Sequence, residues 1–293
     1  MLSILIPVYN YDIFPLVEKL YIQALKCNFP FEIICLDDAS QEFVVENQRI
    51  NLFKNTSYSI LEKNIGRSAI RNLLAQKAVY DNLLFLDADV IPVHDNFISN
   101  YISEINYKVV FGGLLYEVKK PQKDQLLRWI YGQKREALSW SDRIKNPTNT
   151  ALVSNLLIKK EMVIRFPFDE NLTKYGYEDL LFFAVLKSNK IEIKHIENPV
   201  FHLNLEDSGL FLNKTKTALQ NLAFLVASKK ISKKESKIIA SFELLKNLKL
   251  VFFFNFTFKN FQKKIERNLL SGKPSLFLFD IYKLGFFCSL KSK

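Results

Sequence analysis

Asp87 and Asp89 are the first residues in this chain whose types and spacing suggest chemistry. They close the run Leu83-Leu84-Phe85-Leu86-Asp87-Ala88-Asp89-Val90, whose four leading apolar residues predict a buried strand. In extended backbone, alternate side chains point the same way, so both carboxylates are expected to face one point. Two anionic oxygen donors there suit a hard divalent cation, or a sugar hydroxyl beside it. A strand ending in an ordinary polar turn has the same letters and no chemistry. Further on, Gly176-Tyr177-Glu178-Asp179 leads into the apolar run from Leu180 to Leu186. A carboxylate held beside a core is a candidate general base. Acids in a first helical turn also satisfy orphan amides and match the helix dipole, and both explanations stand at this point. His202 follows a strand and a Pro-bearing turn. Its imidazole is a good ligand for Mn²⁺-like ions and equally a structural residue. His195, inside a strand pattern, and His94, in a loop after Pro92, read as structural.

Such residues need elements to position them. An apolar strand over 2–8 ends at Tyr9-Asn10 and precedes a helix with Ile13, Leu16, Val17, Leu20, Tyr21 and Ala24 at helical spacing. Phe31 to Leu36 predicts a second strand ending in Asp37-Asp38-Ala39-Ser40, and Tyr58 to Leu61 a third. Gly66 opens a helix to about Tyr80, and the strand at 83–86 follows. Strands alternating with helices predict an α/β fold with a mostly parallel, open sheet flanked by helices. In such sheets ligands bind beyond the carboxyl ends of the strands, where three polar clusters fall: Tyr9-Asn10, Asp37-Asp38 and Asp87-Asp89. Beyond residue 108 the pattern predicts strands at 109–113, 151–158 and 191–196, a polar helix and loop over 121–147, and a buried helix after Asp179. From about 207 the chain reads as helix to its end.

At 293 residues, 48% of them hydrophobic, the chain can bury a full core. Its three cysteines show neither metal spacing nor an even number, which favours a reducing compartment. The N-terminus lacks a basic leader and is expected to be a core strand, not a secretory signal. No apolar run reaches the length of a membrane-spanning helix. Of 41 basic and 30 acidic residues, 15 and 4 fall in 229–293, which leaves 26 of each sign in residues 1–228. The whole excess of +11 therefore belongs to the tail, and a nucleic-acid partner for the main body is excluded.

Pro7-Val8-Tyr9-Asn10, Asp37-Asp38-Ala39-Ser40, Asn64-Ile65-Gly66-Arg67 with Arg71-Asn72, Asp87-Ala88-Asp89 and Gly176-Tyr177-Glu178-Asp179 occur in the order and rough spacing of glycosyltransferase family 2. Over residues 1 to about 205 the chain resembles that family. The resemblance implies an inverting nucleotide-sugar transferase of the Rossmann-like GT-A fold. Residues 1–205 would be the catalytic domain, with about 1–107 binding the donor and 108–205 on the acceptor side. Residues 206–293 would form a helical, basic, Phe-rich extension. Pro7, Tyr9, Asp37 and Asp38 would hold the base and ribose. Gly66 and Arg71 lie beside the donor, with Arg71 meeting the diphosphate or bracing the pocket. Asp87 and Ala88 also line the donor site, Asp87 reaching the ribose or a cation's water shell. Asp89 would ligate Mn²⁺ or Mg²⁺ with help from Asp87 and His202. Asp179 would deprotonate the acceptor hydroxyl, assisted by Glu178. Two departures are Ile70 where the family usually has Ala before Arg, and an acid cluster without a Trp-Gly-Gly elaboration.

The expected activity is metal-assisted transfer of a hexosyl or N-acetylhexosaminyl group from a nucleoside-diphosphate sugar, with UDP as nucleotide, to a glycan or lipid-linked acceptor in surface polysaccharide synthesis. A catalytically inactive nucleotide-sugar-binding protein or membrane-docked scaffold is the alternative. Lys229, Lys230, Lys233, Lys234 and Lys237, with the Phe residues from Phe242 to Phe287, make either a solvated helical cap or an anchor on an anionic membrane surface. The expected location is cytoplasmic, on the inner membrane face if the tail docks.

Overall fold

The computed structural model describes residues 1–291. They divide into two compact units: residues 1–117, 136–173 and 185–204, and residues 118–135, 174–184 and 205–291.

The first unit holds ten strands: β1 (Leu2–Val8), β2 (Phe31–Asp37), β3 (Thr56–Ile60), β4 (Asn82–Leu86), β5 (Val90–Pro92), β6 (Val109–Phe111), β7 (Leu114–Leu115), β8 (Asn155–Lys159), β9 (Lys194–His195) and β10 (Val200–His202). Seven form one sheet in the order β3-β2-β1-β4-β8-β6-β9. The pairs among β1 to β4 are parallel, β8 runs antiparallel to β4 and β6, and β9 is parallel to β6. The expected α/β architecture with a mostly parallel sheet is therefore present. Parallel neighbours need crossovers, supplied by the helices Phe14–Lys26 and Arg67–Lys77. β1 and β2 are buried along almost their whole length, which is why they read as continuous apolar runs and not as alternation.

A second, three-stranded sheet in the order β5-β10-β7 has no counterpart in the sequence reading. Its strands have two or three residues each, too few to show a period of two. The strand expected over 151–158 starts only at Asn155, and the one expected over 191–196 shrinks to Lys194–His195. The helix and loop over 121–147 is broken into short turns of helix at 123–125, 126–131, 132–136 and 140–143. A short helix Val44–Gln48 and a tight turn Arg49–Leu52 were not foreseen.

The second unit is helical, as expected for the C-terminal region, with Ser208–Ala227, Lys237–Asn247, Val251–Leu269 and Leu276–Lys291 as its long helices. Leu127, Phe211, Leu212, Phe258, Ile265, Leu269, Phe279 and Tyr282 form its core. Asp207 caps the first of these helices by accepting the Leu210 N–H at 2.8 Å. Among the described residues no helix is long and apolar enough to cross a membrane.

Candidate active site

In the first unit, three parallel strands deliver polar residues to the same sheet edge: Tyr9 after β1, Asp37 at the end of β2, and Asp87 after β4. The β1 and β2 ends are tied together. Asn10, in the left-handed region at φ 48°, donates its N–H to Ser40 Oγ at 2.7 Å, and its side chain accepts from Gln41 N at 2.8 Å. Tyr9 stays exposed above this join, where a flat ring could meet a base.

Asp37 has no exposed surface. Its carboxylate accepts from Tyr58 Oη at 2.5 Å and from the Ser40 N–H at 2.7 Å, so it holds the turn in shape. Asp38, 5% exposed, accepts from the Ile65 N–H at 2.6 Å and the Gly66 N–H at 3.0 Å. It therefore latches the 64–66 loop onto the β2 end. Burial pushes its carboxyl above the ordinary value, against the pull of those two amides. Gly66, at φ 84°, caps the helix Arg67–Lys77 in a conformation that an L side chain resists.

That helix carries Arg71 inward. Arg71 is 1% exposed, donates to Asp87 Oδ1 at 2.9 Å, and lies over the Phe168 ring with its guanidinium carbon 5.5 Å from the centroid. Its neighbour Asn72 fixes the same segment, donating to Phe168 O at 2.9 Å and accepting the Phe168 N–H at 3.0 Å. The geometry holds Arg71 between Asp87 and the Phe168 ring.

Asp87 and Asp89 do not share an extended segment. The backbone turns over 87–89 between β4 and β5, with Ala88 partly exposed at its middle, and the two carboxylates take different partners. Burial alone would raise the Asp87 carboxyl, but Arg71, Arg67 and His202 outweigh it and hold it below the usual carboxylate range. Asp89 Oδ2 lies 3.4 Å from His202 Nε2. The small sheet sets that pair: β10 runs antiparallel to β5 with His202 opposite Val90, and Leu203 N donates to Asp89 O at 2.8 Å. The His202 ring stacks on Tyr116, centroids 5.1 Å apart, and the Tyr116 hydroxyl donates to Glu136. Tyr11 faces the same charge, since burial and then Asp89 raise its phenol.

Asp87 pairs with Arg71 and Asp89 faces His202, and the charge of His202 acts on Asp87 as well. Among the described residues no group of three or more His, Cys, Asp or Glu side chains is arranged to hold a metal. Asp89 and His202 remain, one carboxylate and one imidazole. That set fits a divalent cation whose other ligands are substrate phosphate oxygens and water. Tyr116, Phe168 and Tyr58 support the site without any sequence signal, since each acts through a neighbour brought close only by the fold. His195 is buried, its imidazole pushed down first by burial, with Nε2 2.9 Å from Pro147 O.

In the second unit Gly176 (φ 100°), Tyr177 (φ 71°), Glu178 and Asp179 form the turn and first turn of the helix Glu178–Ser188. Asn221 donates to Lys174 O at 2.8 Å and Gly176 O at 3.0 Å, which fixes the turn. A Cβ on Gly176 would come within 2.4 Å of Ala218 Cβ. The glycine is thus required by packing on the helix Ser208–Ala227. Glu178 is buried and Asp179 half-buried.

No curated protein matches this chain. Among solved structures, the mannosyltransferase PcManGT from Pyrobaculum calidifontis, in complex with GDP-Man and Mn²⁺, is similar at 13% identity and TM-score 0.54, over 77% of this chain and 64% of that one. S. aureus TarS 1–349 in complex with UDP is similar at 21% identity and TM-score 0.50, over 74% of this chain and 64% of that one. This chain thus spans less than two thirds of either neighbour. Both likenesses concern the fold, which is the GT-A architecture. Residues 3–160, more than half of the chain, match the model of Glycosyl transferase family 2. The chain belongs to that family.

Proposed function

We propose that the chain transfers a glycosyl group, with inversion, from a nucleoside-diphosphate sugar to a hydroxyl acceptor. The observation that carries this is the strand-edge assembly in which Asp38 latches the 64–66 loop, Arg71 sets Asp87, and Asp89 faces His202. Such an edge is where an α/β sheet binds nucleotides. PcManGT and TarS were solved with GDP-Man and UDP respectively, which supports a nucleotide sugar here, and we assign UDP with a hexosyl or N-acetylhexosaminyl group. In this reading residues 1–205 carry the reaction, although 118–135 and 174–184 belong to the second compact unit.

Pro7 and Tyr9 receive the base, with Asp37 and Asp38 shaping the pocket from behind. Asp87, oriented by Arg71, keeps one oxygen for the ribose or for the cation's water shell. Asp89 and His202 would hold Mn²⁺ or Mg²⁺, which would supply Lewis-acid neutralisation of the charge that develops on the leaving group. Asp179 takes the proton of the acceptor hydroxyl, with Glu178 orienting that acceptor. The oxygen then attacks the anomeric carbon, and the bond to the β-phosphate oxygen breaks with its electron pair leaving on the nucleoside diphosphate. The acceptor we assign is a growing surface glycan or its lipid-linked form, handled at the inner membrane face, with the basic C-terminal helices against anionic lipid.

The test measures donor binding by calorimetry and transfer by product release. Asp179→Asn is expected to bind donor as wild type and to lose transfer by at least about 100-fold, the scale of general base catalysis. Asp89→Ala is expected to lose the Mn²⁺-dependent part of donor binding. Normal turnover by Asp179→Asn would remove the base assignment. Donor binding that ignores Mn²⁺ in both wild type and Asp89→Ala would remove the cation.

A further inference from the structure

The second unit contains an open groove of about 510 Å³ that the transfer reaction leaves unused. Its walls are Phe254, Phe258, Phe261 and Ile265 from the helix Val251–Leu269, and Leu278 and Ile281 from the helix Leu276–Lys291. Thr257, Asn268 and Lys264 complete the lining, so a single cation stands in a predominantly apolar surface. The volume lies in the range of small-molecule sites, about 300–1,000 Å³. A nucleotide or a sugar placed there would leave its polar groups without partners. A hydrocarbon chain would not.

Two further features identify the source of that chain. The outward faces of the same helices carry Phe252 at 83% exposure, Phe253 at 68%, Phe256 at 60% and Phe277 at 72%. Exposed aromatics of this kind suit the boundary between headgroups and acyl chains. The segment 229–293 also holds the entire positive excess of the protein, which selects an anionic partner. We propose that the groove takes one hydrocarbon chain of an anionic phospholipid, with Lys264 meeting its phosphate. This goes beyond adsorption of the surface to a membrane: it is a site for one chain, with a defined capacity.

Titration of the full-length protein with monomeric alkyl phosphates, followed by calorimetry, tests the assignment. Dodecyl phosphate is expected to saturate at one molecule per chain. Across a series of chain lengths, each added methylene should tighten binding about fourfold, which is about 0.8 kcal/mol per buried CH₂, until the groove is full and the gain stops. Thr257→Trp, which fills the groove from its own wall, should weaken binding at least tenfold, and Leu278→Trp does the same from the opposite helix if the first variant fails to fold. Lys264→Gln should weaken dodecyl phosphate and leave dodecanol unchanged. Uptake without saturation, a gain that never stops with chain length, or wild-type binding by a folded Trp variant would overturn the site. So would a dimer in sedimentation that Thr257→Trp dissociates, since a second copy would then be the occupant. Equal binding of dodecanol and dodecyl phosphate by wild type would overturn the anionic assignment. The titration needs neither donor nor cation, so its failure leaves the transferase reading standing, and a chain that transfers no sugar leaves the groove standing.

Discussion

Asp87 and Asp89 stand one residue apart, yet the turn between β4 and β5 gives them different work. Asp87 answers to Arg71 and Asp89 to His202. The Arg71 guanidinium is fully buried, while the Asp87 side chain keeps 22% of its surface exposed. Arg71→Met preserves bulk beside Phe168 and removes the charge, leaving a largely enclosed carboxylate without its main partner. Breaking such a pair costs about 3 kcal/mol, the lower end of the range for buried pairs, because water still reaches Asp87. The pH dependence has a definite sign. Asp87 titrates lower in the folded chain than its ordinary value, so the stabilisation is complete above the unfolded carboxyl pKa of about 3.9 and is lost as acid protonates the folded group. Denaturant midpoints of wild type and Arg71→Met should therefore differ most near neutrality and converge in strong acid. A gap that is constant with pH would place the role of Arg71 in packing alone.

The helix Leu276–Lys291 shows the same dependence on close approach at the scale of an element. A Cβ at Gly285 would lie 2.3 Å from the Phe258 ring, and Phe258 is itself packed against Tyr282 with centroids 5.9 Å apart. Gly285→Ala should thus cost about 1–3 kcal/mol by overpacking, against the small gain that Ala normally brings to a helix interior. A fall in thermal midpoint is expected, with partial recovery on adding Phe258→Leu. A rise in midpoint for Gly285→Ala alone would mean that the ring moves aside. Contacts of this kind also mark what could be read from the sequence and what could not. The parallel strands β1, β2 and β4 are legible because burial on both faces writes a continuous apolar run. Their polar ends, Tyr9, Asp38 and Asp87, are legible because such sheets put ligands there. The strands β5, β7 and β10 carry too few residues for a period, so the pairing of His202 with Asp89 was foreseen only as a family feature. Tyr116 falls in the stretch 113–150, which holds no motif, and its place on the His202 ring follows from β7 lying beside β10. The burial of Asp37 and the commitment of Asp87 to Arg71 depend on Tyr58 and on the 87–89 turn, neither of which leaves a mark in local composition.

On the scale of the whole molecule, charge and exposed apolar surface are segregated together. Residues 1–228 are electrically balanced, and residues 229–293 carry the full excess of +11. The same segment exposes Leu244, Leu248, Leu250, Phe252, Phe253 and Phe256 within thirteen consecutive positions. Monomeric proteins rarely leave so much contiguous apolar surface in water unless something covers it. Each half of this pattern gives a separate, measurable dependence if the covering partner is an anionic membrane. The electrostatic half should respond to salt: raising ionic strength from about 0.15 M to about 1 M shortens the Debye length from about 8 Å to about 3 Å, and the attraction of the lysines to phosphatidylglycerol vesicles should fall accordingly. The apolar half should not respond to salt but should be lost in the triple variant Phe252→Ser, Phe253→Ser, Phe256→Ser, which leaves every charge in place. In co-sedimentation of the full chain, wild type is expected to bind phosphatidylglycerol vesicles at low salt and phosphatidylcholine vesicles weakly, and to lose much but not all of its anionic binding at high salt. The triple variant should retain far less than wild type at high salt, because beside the screened term only the single chain held in the groove remains to it. Equal binding of wild type to both kinds of vesicle would remove the basic excess from membrane docking. Equal binding of wild type and the triple variant would assign the exposed phenylalanines to another partner.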